Sequence, residues 1–163
     1  AKELFSLNNI HIVVSDFQLI SKCRDKRLTN LLFNELCINI PRSINKENPS
    51  FPLFIKPYDG SCSVGAFALN DETMLTRDML ENPKNMFMEL VPENYDEYTV
   101  DVYYDKFGIL KSLVPRLRIE TRAGEISKGL TSKGGVYNYL KDKLSNLKGA
   151  RGCINLQLFV DLN

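Results

Sequence analysis

The chain has 163 residues, of which 44% are hydrophobic and 25% are charged, and its formal net charge is +1. Such a composition is typical of a soluble globular protein, and the length suffices for one domain or for two small subdomains around a cleft. The near-zero charge disfavours nucleic acid or an anionic membrane as a partner, and no apolar run approaches the roughly 20 residues of a transmembrane helix.

Cysteine and histidine usage limits the chemistry further. The four cysteines are widely spaced and form no CxxC pair, which indicates reduced thiols in a cytoplasmic protein rather than a disulfide framework or a zinc site. His11 is the only histidine and lies in the apolar run 10–14, which predicts a short buried strand. A packed histidine is therefore favoured over a catalytic one, and a histidine-dependent hydrolase is disfavoured.

Leucines at helical spacing predict the first helix over residues 26–37, with Asp25 near its N-cap. Three strands and one helix follow in this half of the chain: strands at 51–56, 64–69 and 86–91, and a helix capped by Asn70 that runs to about residue 81.

Strict alternation from Glu97 to Tyr104 predicts a half-buried strand, with Glu97 and Asp101 together on its polar face. A turn at 105–108 predicts a hairpin, and Arg116 and Arg118 share one face of the returning strand, 109–118. A polar loop at 122–132, a helix from 136 to Gly149 and an alternating strand at 154–161 complete the chain. This order of hairpins and few helices indicates an α+β fold.

The stretch FPLFIKPYDGSCSVG, residues 51–65, ends a buried strand on Lys56 and then enters a loop of small residues. Loops of this kind are more often surface turns than phosphate sites. This one lacks the GK[ST] of a P-loop and precedes a strand rather than a helix. From these residues alone, a solvated lysine and a flap over phosphates both stay open.

Five segments in order along the chain resemble the ATP-grasp superfamily, and among its members the carbamoyl-phosphate-synthase-like ligases. They are DKRLTNLLFNELCINIP (25–41), FPLFIKPYDGSCSVG (51–65), MELVPENYDEYTVDVYYDKFG (88–108), VPRLRIETRAGEISKG (114–129) and GCINLQLFVD (152–161). The resemblance implies two α+β subdomains that grip ATP between antiparallel sheets. It divides the chain into the end of a Rossmann-like domain with a linker (1–24), a lid subdomain (25–88) and an incomplete C-terminal subdomain (89–163).

The resemblance also implies which residues bind ATP and its Mg²⁺ (or Mn²⁺). Lys26 and Lys56 match the family's phosphate-binding lysines, and Glu97 matches the carboxylate that binds the ribose hydroxyls. Gln157 matches the first of three metal ligands. The remaining matches are the mobile flap residues Gly60, Ser61, Ser63 and Gly65, and the adenine-contacting connection Glu89, Leu90 and Val91.

Arg116, Arg118 and Lys128 match a family segment beside the γ-phosphate and the acceptor, which implies a catalytic role. A structural salt-bridge role for the two arginines is nearly as well favoured. Cys37 stands where relatives commonly end the helix with glycine.

The implied function is that of an ATP-dependent ligase, which activates a carboxylate as an acyl phosphate and joins it to an amine. Both substrates are unidentified. Because the chain stops before the family's remaining Glu and Asn metal ligands, we expect a fragment that is inactive alone and dimerises through its unpaired last strand. The alternatives are a catalytically incomplete nucleotide-binding or regulatory module and, last, a purely structural interaction domain.

Overall fold

The computed structural model describes residues 2–61, 63–122 and 125–161. The helices of this part of the chain are α1 (Lys2–Leu7), α2 (Phe17–Arg24), α3 (Lys26–Glu35), α4 (Arg77–Glu81) and α5 (Gly135–Ser145), with a 3-10 turn at Glu72–Met74. Its strands are β1 (Leu53–Pro57), β2 (Phe67–Leu69), β3 (Asn85–Glu89), β4 (Asp96–Tyr104), β5 (Leu110–Arg122), β6 (Glu125–Thr131) and β7 (Gly152–Val160). None of the described helices is long and apolar enough to cross a bilayer.

The strands form two antiparallel sheets. The smaller sheet has the order β2-β1-β3, and the larger has the order β6-β5-β4-β7. The predicted hairpin between β4 and β5 turns at Asp105, whose carboxylate accepts hydrogen bonds from the backbone N–H groups of Phe107 (2.9 Å) and Ile109 (3.0 Å). The α+β class with antiparallel sheets is therefore confirmed.

The larger sheet packs one apolar face against helices. Tyr98, Val100, Val102 and Tyr104 of β4 are 7% exposed or less, as their alternation predicts. They share a core with Leu140 and Leu144 of α5 and also with Leu32 of α3. Helix α3 thus packs in the core of the larger sheet. The predicted subdomain boundary at residue 88 instead assigns α3 to the same subdomain as the smaller sheet, and that boundary stays a prediction.

A second core lies on the smaller sheet. Leu53, Ile55, Leu69 and Phe87 are buried there, and Met79 and Leu80 of α4 pack against them. The two sheets therefore have separate hydrophobic cores, each built from its own strands and helices.

The strand predicted at residues 10–14 is wrong. This segment is irregular, Ile10 is 49% exposed, and His11 is exposed rather than packed. A strand needs a neighbouring strand that accepts and donates backbone hydrogen bonds along its length. The described backbone holds this segment near its two ends, where the Ile10 N–H donates to the Phe5 carbonyl over 2.9 Å and the Asp16 N–H donates to the Gly149 carbonyl over 2.8 Å.

The helix predicted from Asn70 to residue 81 is two short pieces instead. Asp71, not Asn70, caps the 3-10 turn by accepting the Thr73 N–H, and Thr76 caps α4 by accepting the Met79 N–H. Each cap holds its own residue in extended conformation, so the second cap interrupts the helix.

The polar loop predicted at 122–132 is also wrong, because most of it is β6. This strand pairs with an extended β5, with Arg116 opposite Thr131 and Glu120 opposite Lys128. Its composition disfavours a strand, but a paired neighbour satisfies the backbone and overrides that preference.

Helix α3 ends in a geometry that favours glycine at position 37. Cys37 has φ +55°, its N–H donates to the Asn34 carbonyl, and the Ile38 N–H donates to the Phe33 carbonyl. This paired arrangement is a Schellman motif, which favours glycine at the position that Cys37 occupies.

Candidate functional site

The start of α3 is held against the end of β1. The backbone N–H of Lys26 donates to the Tyr58 carbonyl (2.9 Å), and the Arg27 guanidinium lies 3.7 Å from the centre of the Tyr58 ring. Asp25 caps α3 by accepting the Arg27 N–H at 2.9 Å. These contacts bring Lys26 close to Lys56, which lies on β1 itself.

The two lysines place positive charge together, and the nearby Asp59 carboxylate, whose pKa the charge of Lys26 helps to lower, is itself ion-paired with Lys84. Lys26 Nζ donates to the Gly60 carbonyl, and Lys56 is half-buried. Burial lowers the pKa of Lys56, and the charge of Lys26 lowers that pKa further. Within residues 2–61, 63–122 and 125–161 neither ammonium forms an ion pair with a carboxylate. Two adjacent cations in this state attract an anion.

The loop after β1 turns tightly over Pro57. The Val64 N–H donates to the Ser61 carbonyl and the Ala66 N–H to the Ser63 carbonyl. Gly65 has φ +72°, and a Cβ there would lie 3.2 Å from Pro57 Cγ. Glycine is therefore the residue that this turn accepts. Gly60, Ser61, Ser63 and Gly65 are described, whereas Cys62 lies outside the described residues.

The connection between β3 and β4 contains Glu89, Leu90 and Val91. The Glu89 N–H donates to the Arg42 carbonyl, and the Glu89 carboxylate accepts the Arg42 N–H, both at 2.8 Å. Among the described residues, the N–H groups of Leu90 and Val91 meet no acceptor. The adenine role of all three residues stays a prediction.

The larger sheet presents a polar face opposite its core. Its members lie in rows across β7, β4 and β5: Phe159 opposite Glu97; Gln157, Thr99 and Arg116; Asn155, Asp101 and Val114; Cys153, Tyr103 and Ser112. Arg118 forms an ion pair with Glu97 of the first row. Because strand side chains alternate, the pairing register brings the predicted Glu97, Arg116, Arg118 and Gln157 onto this one face.

Ion pairs link the charged residues of the polar face. Arg116 Nη2 lies 2.7 Å from Asp101 Oδ2, and Arg118 Nε lies 3.3 Å from Glu97 Oε2. The Asn155 amide also donates to Asp101 Oδ1 over 2.7 Å. Both arginines therefore form salt bridges, as the structural alternative predicts. Both also line the cavity described next.

A cavity of about 370 Å³ opens on the polar face. It is lined by Thr99, Arg116, Arg118, Ile126, Asn155 and Gln157. Arg116 Nε is buried and has no hydrogen-bond partner among the residues that the structure describes. A cavity lined by two guanidinium groups suits an anion that carries several oxygens.

Some site residues differ from the sequence prediction. Lys128 does not line this cavity; it is exposed on β6, and its Nζ lies 3.8 Å from Glu120 Oε2. Asn155 and Phe159 were missed, although the alternation of β7 places both on the face of Gln157. The described part of the chain holds no group of three His, Cys, Asp or Glu that could bind a metal ion.

No protein-family model matches the sequence, and no curated protein matches it. Solved structures match it by fold. D-alanine-D-alanine ligase from Helicobacter pylori shares 20% identity at a TM-score of 0.68. Biotin carboxylase from Campylobacter jejuni, solved as a β-γ-ATP complex, shares 16% at 0.72. N5-carboxyaminoimidazole synthetase from Staphylococcus aureus, complexed with ADP, shares 15% at 0.72.

The chain has the ATP-grasp fold. The matches cover 99%, 98% and 96% of it in the order given, but only 55%, 42% and 46% of those proteins. The chain thus spans about half the length of these ATP-grasp enzymes. Within it, α3 provides Lys26, the smaller sheet provides Lys56 and the glycine loop that follows it, and the larger sheet provides the arginine-lined polar face.

Proposed function

We propose that this chain is the nucleotide-binding part of an ATP-dependent ligase, which activates a carboxylate as an acyl phosphate and joins it to an amine. The observation that carries the proposal is the pair Lys26 and Lys56, two close ammonium groups beside a glycine loop, neither of them in an ion pair with a carboxylate of the described residues. The biotin carboxylase complex with β-γ-ATP and the synthetase complex with ADP support a nucleotide as the anion.

The residues have distinct tasks in this proposal. Lys26 and Lys56 bind the phosphates, and the loop with Gly60, Ser61, Ser63 and Gly65 covers them. The N–H groups of Leu90 and Val91, next to Glu89, contact the adenine. Glu97 accepts hydrogen bonds from the ribose hydroxyls. The ring of Phe159, which is 54% exposed and lies opposite Glu97, stacks on the base.

The arginine cavity receives the transferred phosphoryl group. Arg116 and Arg118 stabilise its negative oxygens. The Lys128 side chain contacts the phosphoryl group only if its ion pair with Glu120 breaks. The Gln157 amide oxygen suits Mg²⁺ or Mn²⁺, ions that prefer oxygen ligands, and such an ion supplies charge neutralisation when bound. Because the described residues form no carboxylate cluster beside Gln157, we expect the 163-residue chain to bind nucleotide without turnover.

Finer assignments belong to the same proposal. Within the superfamily, the carbamoyl-phosphate-synthase-like ligases are the proposed subgroup. The proposed location is the cytoplasm, because it supplies ATP and keeps thiols such as Cys23, Cys37 and Cys153 reduced. The proposed substrates are one carboxylate and one amine, and the proposed assembly is a homodimer through β7.

A non-catalytic nucleotide-binding or regulatory module is the second candidate. The absence of a metal-binding carboxylate group from the described residues favours it. An assay of ADP release distinguishes the two candidates, using a chain extended to the length of the matched structures. A ligase releases ADP from ATP when the right carboxylate is added, and a binding module does not.

The proposal is tested by isothermal titration of the 163-residue chain with ATP. We expect saturable binding that Lys56→Ala weakens about tenfold or more, because a phosphate partner is lost, with little gain from magnesium. Lys46→Ala is the matched control, since Lys46 is an exposed lysine in the loop before β1. No binding, or equal binding by both variants, would contradict the proposal.

A further inference from the structure

A second cavity, of about 250 Å³, lies on the same polar face one row beyond the arginines. Asp101, Tyr103, Ser112, Val114, Cys153 and Asn155 contribute to its lining. Asn155 lines both cavities, and Asp101 is ion-paired to Arg116 of the first one. The two cavities are therefore neighbours that share a wall.

The second cavity has the opposite charge character from the first. Asp101 is the one charged residue among those that line it, and the rest are aliphatic, aromatic or small polar residues. The ring of Tyr103 and the side chain of Val114 stand in the rows that enclose it. A single carboxylate beside apolar walls selects a ligand with one positive group and an apolar body.

Asp101 keeps capacity for such a ligand despite its existing partners. Its Oδ2 contacts Arg116 and its Oδ1 accepts the Asn155 amide, each at 2.7 Å. A carboxylate offers about four lone-pair sites, and the Asp101 side chain is 48% exposed. One further donor, such as an ammonium group, can therefore reach it from the second cavity.

We propose that Asp101 and this second cavity bind the amine substrate of the ligase, in its ammonium form and with an apolar body. This inference rests on the proposed function and names the class of its second substrate. The Asp101–Arg116 ion pair places a cation site directly beside the anion site. An ammonium held there lies next to the acyl phosphate, which is the proximity that a condensation requires. Once it has lost a proton to Asp101 or to solvent, the neutral amine forms the C–N bond at the acyl carbon, and inorganic phosphate leaves.

The experiment is a two-dimensional NMR titration of the 15N-labelled 163-residue chain with n-butylammonium and with 1-butanol. The alcohol matches the amine in size but carries no charge. We expect saturable shifts in β4 and β7 amides with n-butylammonium, and binding at least about tenfold weaker for 1-butanol. Equal binding of the two probes, or no saturable binding of the amine, overturns the inference.

Two variants assign the binding to this cavity. Asp101→Asn keeps the shape and removes the charge, and we expect about a tenfold loss in n-butylammonium affinity. Glu120→Gln is the matched control, because it makes the same change on β5 at a residue that lines neither cavity. Equal effects of the two variants overturn the inference.

A steric variant covers the case in which Asp101→Asn fails to fold, which loss of dispersed amide signals would show. Cys153→Phe fills the cavity from an exposed position on β7 and is expected to abolish the n-butylammonium shifts. Unchanged shifts contradict the inference. ATP binding by the unmodified chain without amine binding overturns this inference alone, whereas loss of both overturns the proposed function as well.

Discussion

Lys56 is a half-buried lysine next to a second lysine, an arrangement that folding stability alone would not favour. Burial and like charge both disfavour its protonated form. The proposed phosphate site would explain why such a residue stands there. Its stability cost and its proposed binding role would then be two results of one electrostatic cause.

We expect Lys56→Met to raise the free energy of unfolding at neutral pH by about 1 kcal/mol, because it removes an uncompensated charge. The pKa of Lys56 is lowered in the folded chain, so the unfolded chain binds more protons. The stability of the unmodified chain therefore rises as pH approaches the ordinary lysine pKa of about 10.4. The advantage of the variant should shrink over that range.

Urea unfolding at several pH values measures this difference. The matched control is Lys46→Met, which removes an exposed lysine and should leave the free energy of unfolding nearly unchanged. A Lys56→Met chain that is less stable than the unmodified chain at every pH would show that the charge of Lys56 is not a burden on the fold.

Helix α3 carries Lys26 at its first residue, and both of its ends are defined by local hydrogen bonds. The Asp25 cap starts it, and the Schellman motif at Cys37 stops it. Beyond the helix end, the Cys37 carbonyl accepts hydrogen bonds from Lys143 and Tyr139 of α5. The element that positions Lys26 is thereby fixed to the core of the larger sheet.

Cys37→Gly should stabilise the chain by about 1 kcal/mol, because Cys37 has φ +55° and glycine adopts this conformation without a Cβ clash. The backbone carbonyl that α5 contacts is retained. Cys37→Ala is the control, since alanine keeps the clash and should bring no gain. Thermal unfolding compares the two, and a glycine variant less stable than the alanine variant would refute the prediction.

At the scale of the whole molecule, two sheets with separate cores share one chain, and β7 stands at an edge of the larger sheet. Its described pairing is with β4 on one side. The other side presents N–H and C=O groups, which favour pairing with a second strand. The edge is thus a place where two copies of the chain can associate.

We expect the 163-residue chain to form a dimer through β7, with the fraction of dimer rising with concentration. Light scattering during size-exclusion chromatography measures the mass. Phe159→Lys should shift the chain toward monomer, because a lysine on an edge strand opposes pairing. A monomeric mass at the highest soluble concentration would contradict the prediction.

Periodicity and capping chemistry were sufficient to predict α3, α5, every described strand except β6, the α+β class and the apolar face of β4, but not the helices α1 and α2. These features depend on residues a few positions apart, so local sequence carries them. The resemblance to the ATP-grasp superfamily also implied a phosphate-binding role for Lys26 and Lys56, a ribose-binding role for Glu97 and a metal-binding role for Gln157. Their binding roles stay predictions until ATP is titrated.

Contacts between distant segments could not be derived in this way. The irregular run at 10–14, the strand β6 and the exposed position of Lys128 depend on which backbone offers a hydrogen-bonded neighbour. The contacts of Lys26 with Gly60 and of Arg116 with Asp101 depend on register between elements. Folding places such groups together across the chain, because burial and pairing of whole elements outweigh local preference.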